Sequence, residues 1–168
     1  MNLETAIAIA TKAHKNQKDK FGNPYLLHLL SVMKKGNNEK EKITGVLHDL
    51  IEDTEWTLED LRQEGFDEEI ISAIDCLTKR KKGDKEESYE KFISRVKKNA
   101  LAIRVKLNDL EDNMDVRRIP KLTVKDVKRI NKYLKAYRSL KNLTEKVDSA
   151  HNKKKKTDIK EKKRFYLK

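Results

Sequence analysis

Val46-Leu47-His48-Asp49-Leu50-Ile51-Glu52-Asp53 is the stretch whose reading decides the fold. The spacing predicts a helix apolar almost all round, with Val46, Leu47, Leu50 and Ile51 on several faces, and such a helix is normally buried. It nevertheless carries a histidine and three acids. Glu52 follows His48 by four residues and Asp53 follows Asp49 by four, so each pair shares a helix face about one turn apart. Buried carboxylates are costly unless they are paired or bound to metal. A divalent cation is the simplest relief. The other reading of these eight residues alone is the end of an ordinary helix with its acids in water.

The flanking sequence is helical throughout. Residues 2–16 place Leu3, Ala6, Ile7, Ala10 and Ala13/His14 on one stripe. Residues 17–24 form a polar loop closed by Gly22-Asn23-Pro24, and Pro24 suits the start of a helix over about 25–35 that holds His28 among leucines. The opening stretch ends a helix over about 39–52. Thr57 to Asp60 reads as a capping box with Asp in place of Glu, and Asp67 as the cap of a helix through Leu77. A charged loop over 79–87 precedes a helix over 88–98. In the segment 100–116, Leu101, Val105, Asp109 and Asn113 form one row, an apolar stripe that runs into an acid and an amide. Glu111, Asp112 and Asp115 are expected to face solvent. A last long helix starts at a Thr123/Asp126 cap with Val124, Val127, Ile130, Leu134, Tyr137, Leu140, Leu143/Thr144 and Val147 turned inward. Beyond residue 150 the periodicity fades, with a further short helix at 158–166. The fold class is all-α, with about eight helices and no convincing strand.

Composition sets the frame. Five glycines and two prolines disfavour a turn-rich β architecture. No apolar run approaches a membrane span and no signal peptide is visible, so a cytoplasmic protein with no membrane partner is expected. The single cysteine, Cys76, lies in an apolar pattern and reads as a core thiol. Residues 151–168 hold nine Lys/Arg and two acids, so +7 of the +12 net charge lies there and about +5 on the first 150 residues. The expected organisation is a domain over 1–150 and a basic tail over 151–168. The tail lacks interleaved aromatics apart from Phe165-Tyr166, so nucleic acid is not the favoured partner. His14 and Trp56 read as packing residues and His151 as part of the tail.

Three helices thus bring His28, the His48-Asp49 pair and Asp109. Two imidazoles and two carboxylates suit Mn²⁺, Fe²⁺ or Zn²⁺ with open positions for water, and without thiolates a closed structural zinc site is disfavoured. Such an ion lowers the pKa of a water and polarises a phosphoryl oxygen. Glu52 and Asp53, one turn on, are placed to position that water or move protons.

At this point the chain resembles the HD superfamily of metal-dependent phosphohydrolases, and within it the RelA/SpoT-type (p)ppGpp hydrolase domains and small alarmone hydrolases. The resemblance covers roughly residues 3–145. It is carried by Ala10-Thr-Lys-Ala-His14 with Gln17 and Lys20-Phe-Gly-Asn-Pro-Tyr25-Leu-Leu-His28, by Leu47-His48-Asp49-Leu-Ile-Glu52-Asp53-Thr54, and by Val105-Lys-Leu-Asn-Asp109-Leu-Glu-Asp-Asn113-Met114. It implies a helical HD bundle, a Mn²⁺-like ion on His28, His48, Asp49 and Asp109, and Glu52 and Asp53 as the acidic pair of the hydrolase. It also implies nucleotide contacts from Lys20 and Asn113, and from Arg129 and Tyr133 on the last helix. Lys79 matches a basic loop near the phosphates.

Two positions depart from the family. Asp19 stands where an Arg usually helps hold the guanine base, and an acid cannot reproduce a cationic contact. Leu110-Glu111 follows Asp109 where Arg-Leu is usual. The implied activity is 3′-pyrophosphohydrolysis of (p)ppGpp. The alternatives are hydrolysis of another nucleotide, such as NADPH or a (d)NTP, and a non-catalytic HD module whose tail docks on RNA or protein. The residues left over are too few for a nucleotide synthetase domain or a regulatory region.

Overall fold

Short polar side chains set where the helices begin in the computed structural model of the chain, which describes the backbone of residues 1–83 and 85–165 and the side chains of residues 1–145 other than 82 and 84. Asn2, Asn38, Asp67, Ser88 and Asn99 each accept a backbone N–H from the turn that follows, satisfying donors the helix itself leaves open. The Thr57/Asp60 capping box is formed, and Thr123 and Asp126 exchange the same pair of bonds. The helices are α1 (Leu3–Ala13), α2 (Leu26–Lys34), α3 (Glu39–Leu47), the single turn α4 (Leu50–Asp53), α5 (Leu58–Gln63), α6 (Glu68–Leu77), α7 (Tyr89–Val96), α8 (Ala100–Asn113) and α9 (Val124–Phe165). A 3-10 turn, Val116–Arg118, joins α8 to α9. Two-residue strands β1 (Lys81–Lys82) and β2 (Lys85–Glu86) pair antiparallel in the charged loop, too short a ladder to alter the all-α class.

The core forms around α3, which packs against α1, α2, α6 and α8 and buries Ile43, Thr44, Gly45, Val46 and Leu47. Gly45 sets the α2–α3 distance: a Cβ there would lie 3.1 Å from Met33 Cα, closer than ordinary contact. That approach brings His28 of α2 beside His48. On the far side, Ile70, Ile71, Ile74 and Leu77 of α6 and Leu101, Ala102, Val105 and Leu110 of α8 close the core. Cys76 is half-buried against it.

Three expectations are corrected. First, the helix over 39–52 is interrupted at His48-Asp49, where Asp49 sits at φ −102°, ψ 1°. The Asp53 N–H still reaches the Asp49 carbonyl at 3.0 Å, so the turn is bent rather than ended. Before the bend His48 is buried, and beyond it Glu52 is half-buried and paired with Lys79. Second, Val124 and Val127 are exposed, not inward. In the first turns of α9 Arg129 lines a polar cavity and Asp126 is buried, and the apolar seam against the core runs through Tyr133, Ala136, Tyr137 and Leu140. Third, the α9 backbone continues without a break from Val124 to Phe165. Neither Gly nor Pro interrupts it, and its Lys and Glu residues are good helix formers whether or not they pack. The side chains of Val147 and His151, and all of Tyr166, lie outside the described residues.

Candidate active site

Each ring nitrogen of the two inward histidines has a defined neighbour. His48 Nδ1 lies 2.8 Å from the Gly45 carbonyl oxygen, which can only accept, so Nδ1 carries the proton. His28 Nδ1 lies 2.7 Å from Asp112 Oδ2 and donates to that carboxylate in the same way. Both Nε2 atoms are thereby directed to one place. His48 Nε2 is 2.9 Å from Asp49 Oδ2 and 3.6 Å from Asp109 Oδ1. His28 Nε2 is 3.2 Å from Asp109 Oδ1 and 3.8 Å from Asp49 Oδ2. His28, His48 and Asp49 each present a ligand atom within 4.8 Å of one another. His48 Nε2 is buried and makes no hydrogen bond of proper geometry.

The carboxylates of this arrangement favour positive charge between them. Burial opposes the charged form of His28, yet its hydrogen bonds to Asp109 and Asp112 prevail and push it up to about 9. His48 behaves alike: burial disfavours its charge, and the Asp49 carboxylate more than compensates. Burial opposes ionisation of Asp49 and Asp109 too, but the charge of His48 holds Asp49 low and that of Lys106 holds Asp109 low. Two acids facing two imidazole lone pairs are satisfied either by protons on the rings or by a cation between them. A borderline divalent ion fits this nitrogen/oxygen donor set, and the outward bonds to Asp112 and Gly45 fix the ring orientations such an ion needs.

The surrounding residues hold the four side chains in place. Tyr25 donates its hydroxyl to Asp49 Oδ2 at 2.5 Å. Lys106, its Nζ over the Phe92 ring, lies 2.7 Å from Asp109 Oδ2, and the Asn113 amide donates to Asp109 Oδ1 at 2.6 Å. Gln17 joins His14 Nδ1, 2.7 Å away, to the Asp53 carbonyl, 2.9 Å away, and so ties the first loop to the acid-bearing turn. Glu52 accepts from both the Nζ (2.9 Å) and the backbone N–H (3.0 Å) of Lys79. Asp53 lies at the exposed rim. Burial, followed by the charges of Asp49 and Glu52, raises its pKa.

Beside His28 opens a cavity of about 270 Å³ walled by Lys18, Asp19, Lys20, Phe21, Tyr25, Asp112, Asn113, Asp115, Arg118, Ile119, Arg129 and Tyr133. Lys20, Asn113, Arg129 and Tyr133, assigned to the nucleotide by resemblance, therefore meet in one space. Lys79 does not line it and is paired with Glu52 instead. Lys20 Nζ and Arg129 Nη2 both lie 2.9 Å from Asp126 Oδ1. Asp19 turns its carboxylate into its own loop, accepting from the N–H groups of Phe21 (2.8 Å) and Asn23 (2.9 Å), and meets Arg118 Nη2 at 3.1 Å.

Asp112 is the main correction to the sequence reading. Expected in solvent, it is buried, and it takes His28 Nδ1, the Ser31 hydroxyl at 2.5 Å and Arg118 Nη1. Its signal was its place three residues after Asp109, on the same helix face. Lys106, three residues before Asp109, carried the same signal. Glu111 is exposed as expected, paired with Lys35 and Tyr137. Asp115 is half-buried and held by Arg117.

The bundle and its central His/Asp cluster define the all-helical HD class. No family model matches the chain. It is 32% identical over 120 residues to a guanosine-3′,5′-bis(diphosphate) 3′-pyrophosphohydrolase from Aquifex aeolicus, a match that covers 67% of this chain and 17% of that protein. A GTP pyrophosphokinase from Streptomyces coelicolor is 33% identical over 121 residues, covering 67% and 14%. A solved structure described as a metazoan orthologue of SpoT that hydrolyzes ppGpp shares the fold with a TM-score of 0.68 at 23% identity, over 82% of this chain and 84% of that one. The chain belongs to the family of RelA/SpoT-type hydrolase domains. It spans less than a fifth of the length of these curated relatives. Among the described residues, no helix is long and apolar enough to cross a membrane.

Proposed function

We propose that this protein is a metal-dependent nucleotide phosphohydrolase, and most specifically that it removes pyrophosphate from the 3′ position of (p)ppGpp. One water is consumed, the bond between the 3′-oxygen-linked phosphate and its oxygen breaks, and GDP or GTP is released with pyrophosphate. The observation that carries this reading is the convergence of two Nε2 atoms and two carboxylates beside a cavity lined by Lys20, Asn113, Arg129 and Tyr133.

His28, His48, Asp49 and Asp109 would hold the ion, which we take to be Mn²⁺. When bound, it supplies Lewis-acid polarisation of a phosphoryl oxygen and a lowered pKa for water. The chain's own residues do the rest. Lys79 holds Glu52 in one orientation by two bonds, so Glu52 can align a water for attack. Asp53, with its proton affinity raised, is suited to accept a proton and pass it to solvent at the rim. Lys20 and Arg129 exchange Asp126 for phosphate oxygens. Asn113 keeps Asp109 aimed inward while facing the nucleotide.

A second reading, hydrolysis of another nucleotide such as NADPH or a dNTP, is favoured by Asp19, whose carboxylate is committed to its own loop and to Arg118. Both readings imply a cytoplasmic enzyme acting on free nucleotide. Residues 1–150 carry the reaction and 151–168 are an appendage, so deleting the latter should leave turnover intact.

The test is to incubate the full chain and Mn²⁺ with ppGpp, pppGpp, NADPH, GTP and dNTPs, with Asp49→Ala as control. Release of pyrophosphate from ppGpp is expected. Turnover of non-guanine substrates only would remove the alarmone reading, and no turnover above the control would remove the enzyme.

A further inference from the structure

The flat groups that line the nucleotide cavity differ in what they are free to do. Phe21 has Lys20 Nζ over its ring, 4.5 Å from the centroid. Tyr25 lies between His14 and His28, with ring centroids 5.5 Å away on each side, and its hydroxyl is bound to Asp49. Tyr133 has Tyr89 at 6.1 Å and Lys132 at 5.4 Å from its centroid. Arg129 is tied by one bond, to Asp126. Arg118 alone of this set is fixed at both ends of its guanidinium and has no ring stacked on it among the described residues.

We propose that Arg118 is the platform on which the nucleobase stacks, and that the site therefore selects purines over pyrimidines while distinguishing guanine from adenine only weakly. The inference rests on the nucleotide reading above. Arg118 Nη1 is held by Asp112, and Nη2 by Asp19 Oδ2 at 3.1 Å. Those acids are themselves anchored, Asp19 by two backbone N–H groups and Asp112 by Ser31 and His28. The plane of the guanidinium is thus set before any ligand arrives, and little side-chain entropy remains to be lost on stacking. Two carboxylates also cancel its charge, so it offers a face rather than a net attraction for phosphate. Two of its donors are consumed, which weakens hydrogen-bonded reading of a base edge. Stacking tolerates base identity, because every base has a π-face, and grows with ring area. Asp19 is accordingly part of the platform's support and makes no contact with the base itself.

The experiment is calorimetric binding of GDP, ADP and CDP to the full chain with Mn²⁺, for the wild type, Arg118→Lys and Arg118→Ala, with KM for ppGpp and its adenine counterpart read in parallel. GDP and ADP are expected to bind within about fivefold of each other and CDP at least about fivefold more weakly, the order that stacking imposes. Arg118→Lys keeps a cation for Asp19 and Asp112 but loses the plane. Its thermal midpoint should stay near wild type while both purine Kd values rise about tenfold, near the lower end for one lost stack. Arg118→Ala should show at least the same loss of binding. Wild-type binding of GDP more than about fiftyfold tighter than ADP would overturn the proposal, since stacking alone does not discriminate that far. So would an Arg118→Lys variant that binds purines as wild type, which would reduce Arg118 to a charge. If no substrate turns over, the catalytic reading fails, and the binding series still decides the platform.

Discussion

Replacing Asp112 with Ala isolates the residue that orients His28. Its removal strands the Nδ1–H of His28, the Ser31 hydroxyl and one Nη of Arg118. A buried polar group left without a partner costs about 1–3 kcal/mol. Ser31 and Arg118 are half-exposed and recover water, so only His28 counts in full. A loss of about 2 kcal/mol lowers the thermal midpoint of a domain this size by roughly 5 °C. For metal, outer partners of ligating histidines are typically worth about 10–100-fold in affinity. An opposing effect must be subtracted. The bond to Asp112 is one of the causes that hold His28 up to about 9, so its loss also lowers the proton's competition for Nε2 at neutral pH. The net loss should lie at the low end of that range, about tenfold. Mn²⁺ titration by calorimetry at neutral pH, with thermal unfolding of the metal-free protein, measures both. Glu111→Gln is the control, since the neighbouring acid is exposed and bound only to Lys35 and Tyr137. If Asp112→Ala binds Mn²⁺ within twofold of that control, as about 0.4 kcal/mol would allow, Asp112 does not orient a metal ligand.

Further outcomes follow from the same geometry. The folded-state pKa of His28 is raised above its ordinary value, so its stabilising contribution is complete below the unfolded pKa of about 6.5 and is lost as pH rises through about 9. Metal-free protein should therefore unfold more readily at pH 9.5 than at pH 6.5, whereas Mn²⁺ affinity should climb over that interval with measurable proton release; flat profiles for both would contradict the assignment. Gly45→Ala places a methyl group 3.1 Å from Met33 Cα and should cost about 1–3 kcal/mol in denaturant unfolding, with weaker Mn²⁺ binding because α2 and α3 are pushed apart. Unchanged stability would show that the crossing relaxes freely. Lys79→Met frees one oxygen of Glu52 while the backbone bond remains. At this partly exposed pair stability should fall by less than about 1 kcal/mol, and kcat should drop more than KM rises; the reverse split would make Lys79 a substrate contact.

The clustering of His28, His48, Asp49 and Asp109 was legible because its members are rare and ordered: a His after Pro-Tyr, a His-Asp pair, an Asp ending an apolar row. Helix starts were legible for a similar reason, since Thr57, Asp67 and Thr123 sit where only a cap makes sense of them. What stayed hidden was the set of charged partners that hold His28 and Asp109. Asp112 and Lys106 lie among many charged residues on helices, and periodicity alone cannot say whether a charged position meets water or another helix. Asp112 is buried where α8 meets His28 and Ser31 of α2, a meeting between helices far apart in sequence. The bend at His48-Asp49 was invisible too, since no Gly or Pro marks it.

The two halves of the site spend their charged pairs differently. Around the His/Asp cluster, Lys106–Asp109 and His28–Asp112 are largely buried, so breaking either would leave an uncompensated charge in a poorly solvated place. Around the cavity, Lys20 and Arg129 share the single oxygen Asp126 Oδ1, and Lys20 is largely exposed. Two cations on one carboxylate oxygen leave net positive charge facing the cavity. A polyphosphate carries several charges and many acceptor oxygens, so it can engage both cations while Asp126 retains its bonds to the α9 cap at Thr123. Substrate therefore displaces nothing that holds the fold. Asp126→Asn would test that division: it keeps a side chain able to cap Thr123 but releases both cations, so nucleotide affinity should change severalfold while the unfolding midpoint moves by no more than the loss of part of one helix cap, about 1 kcal/mol.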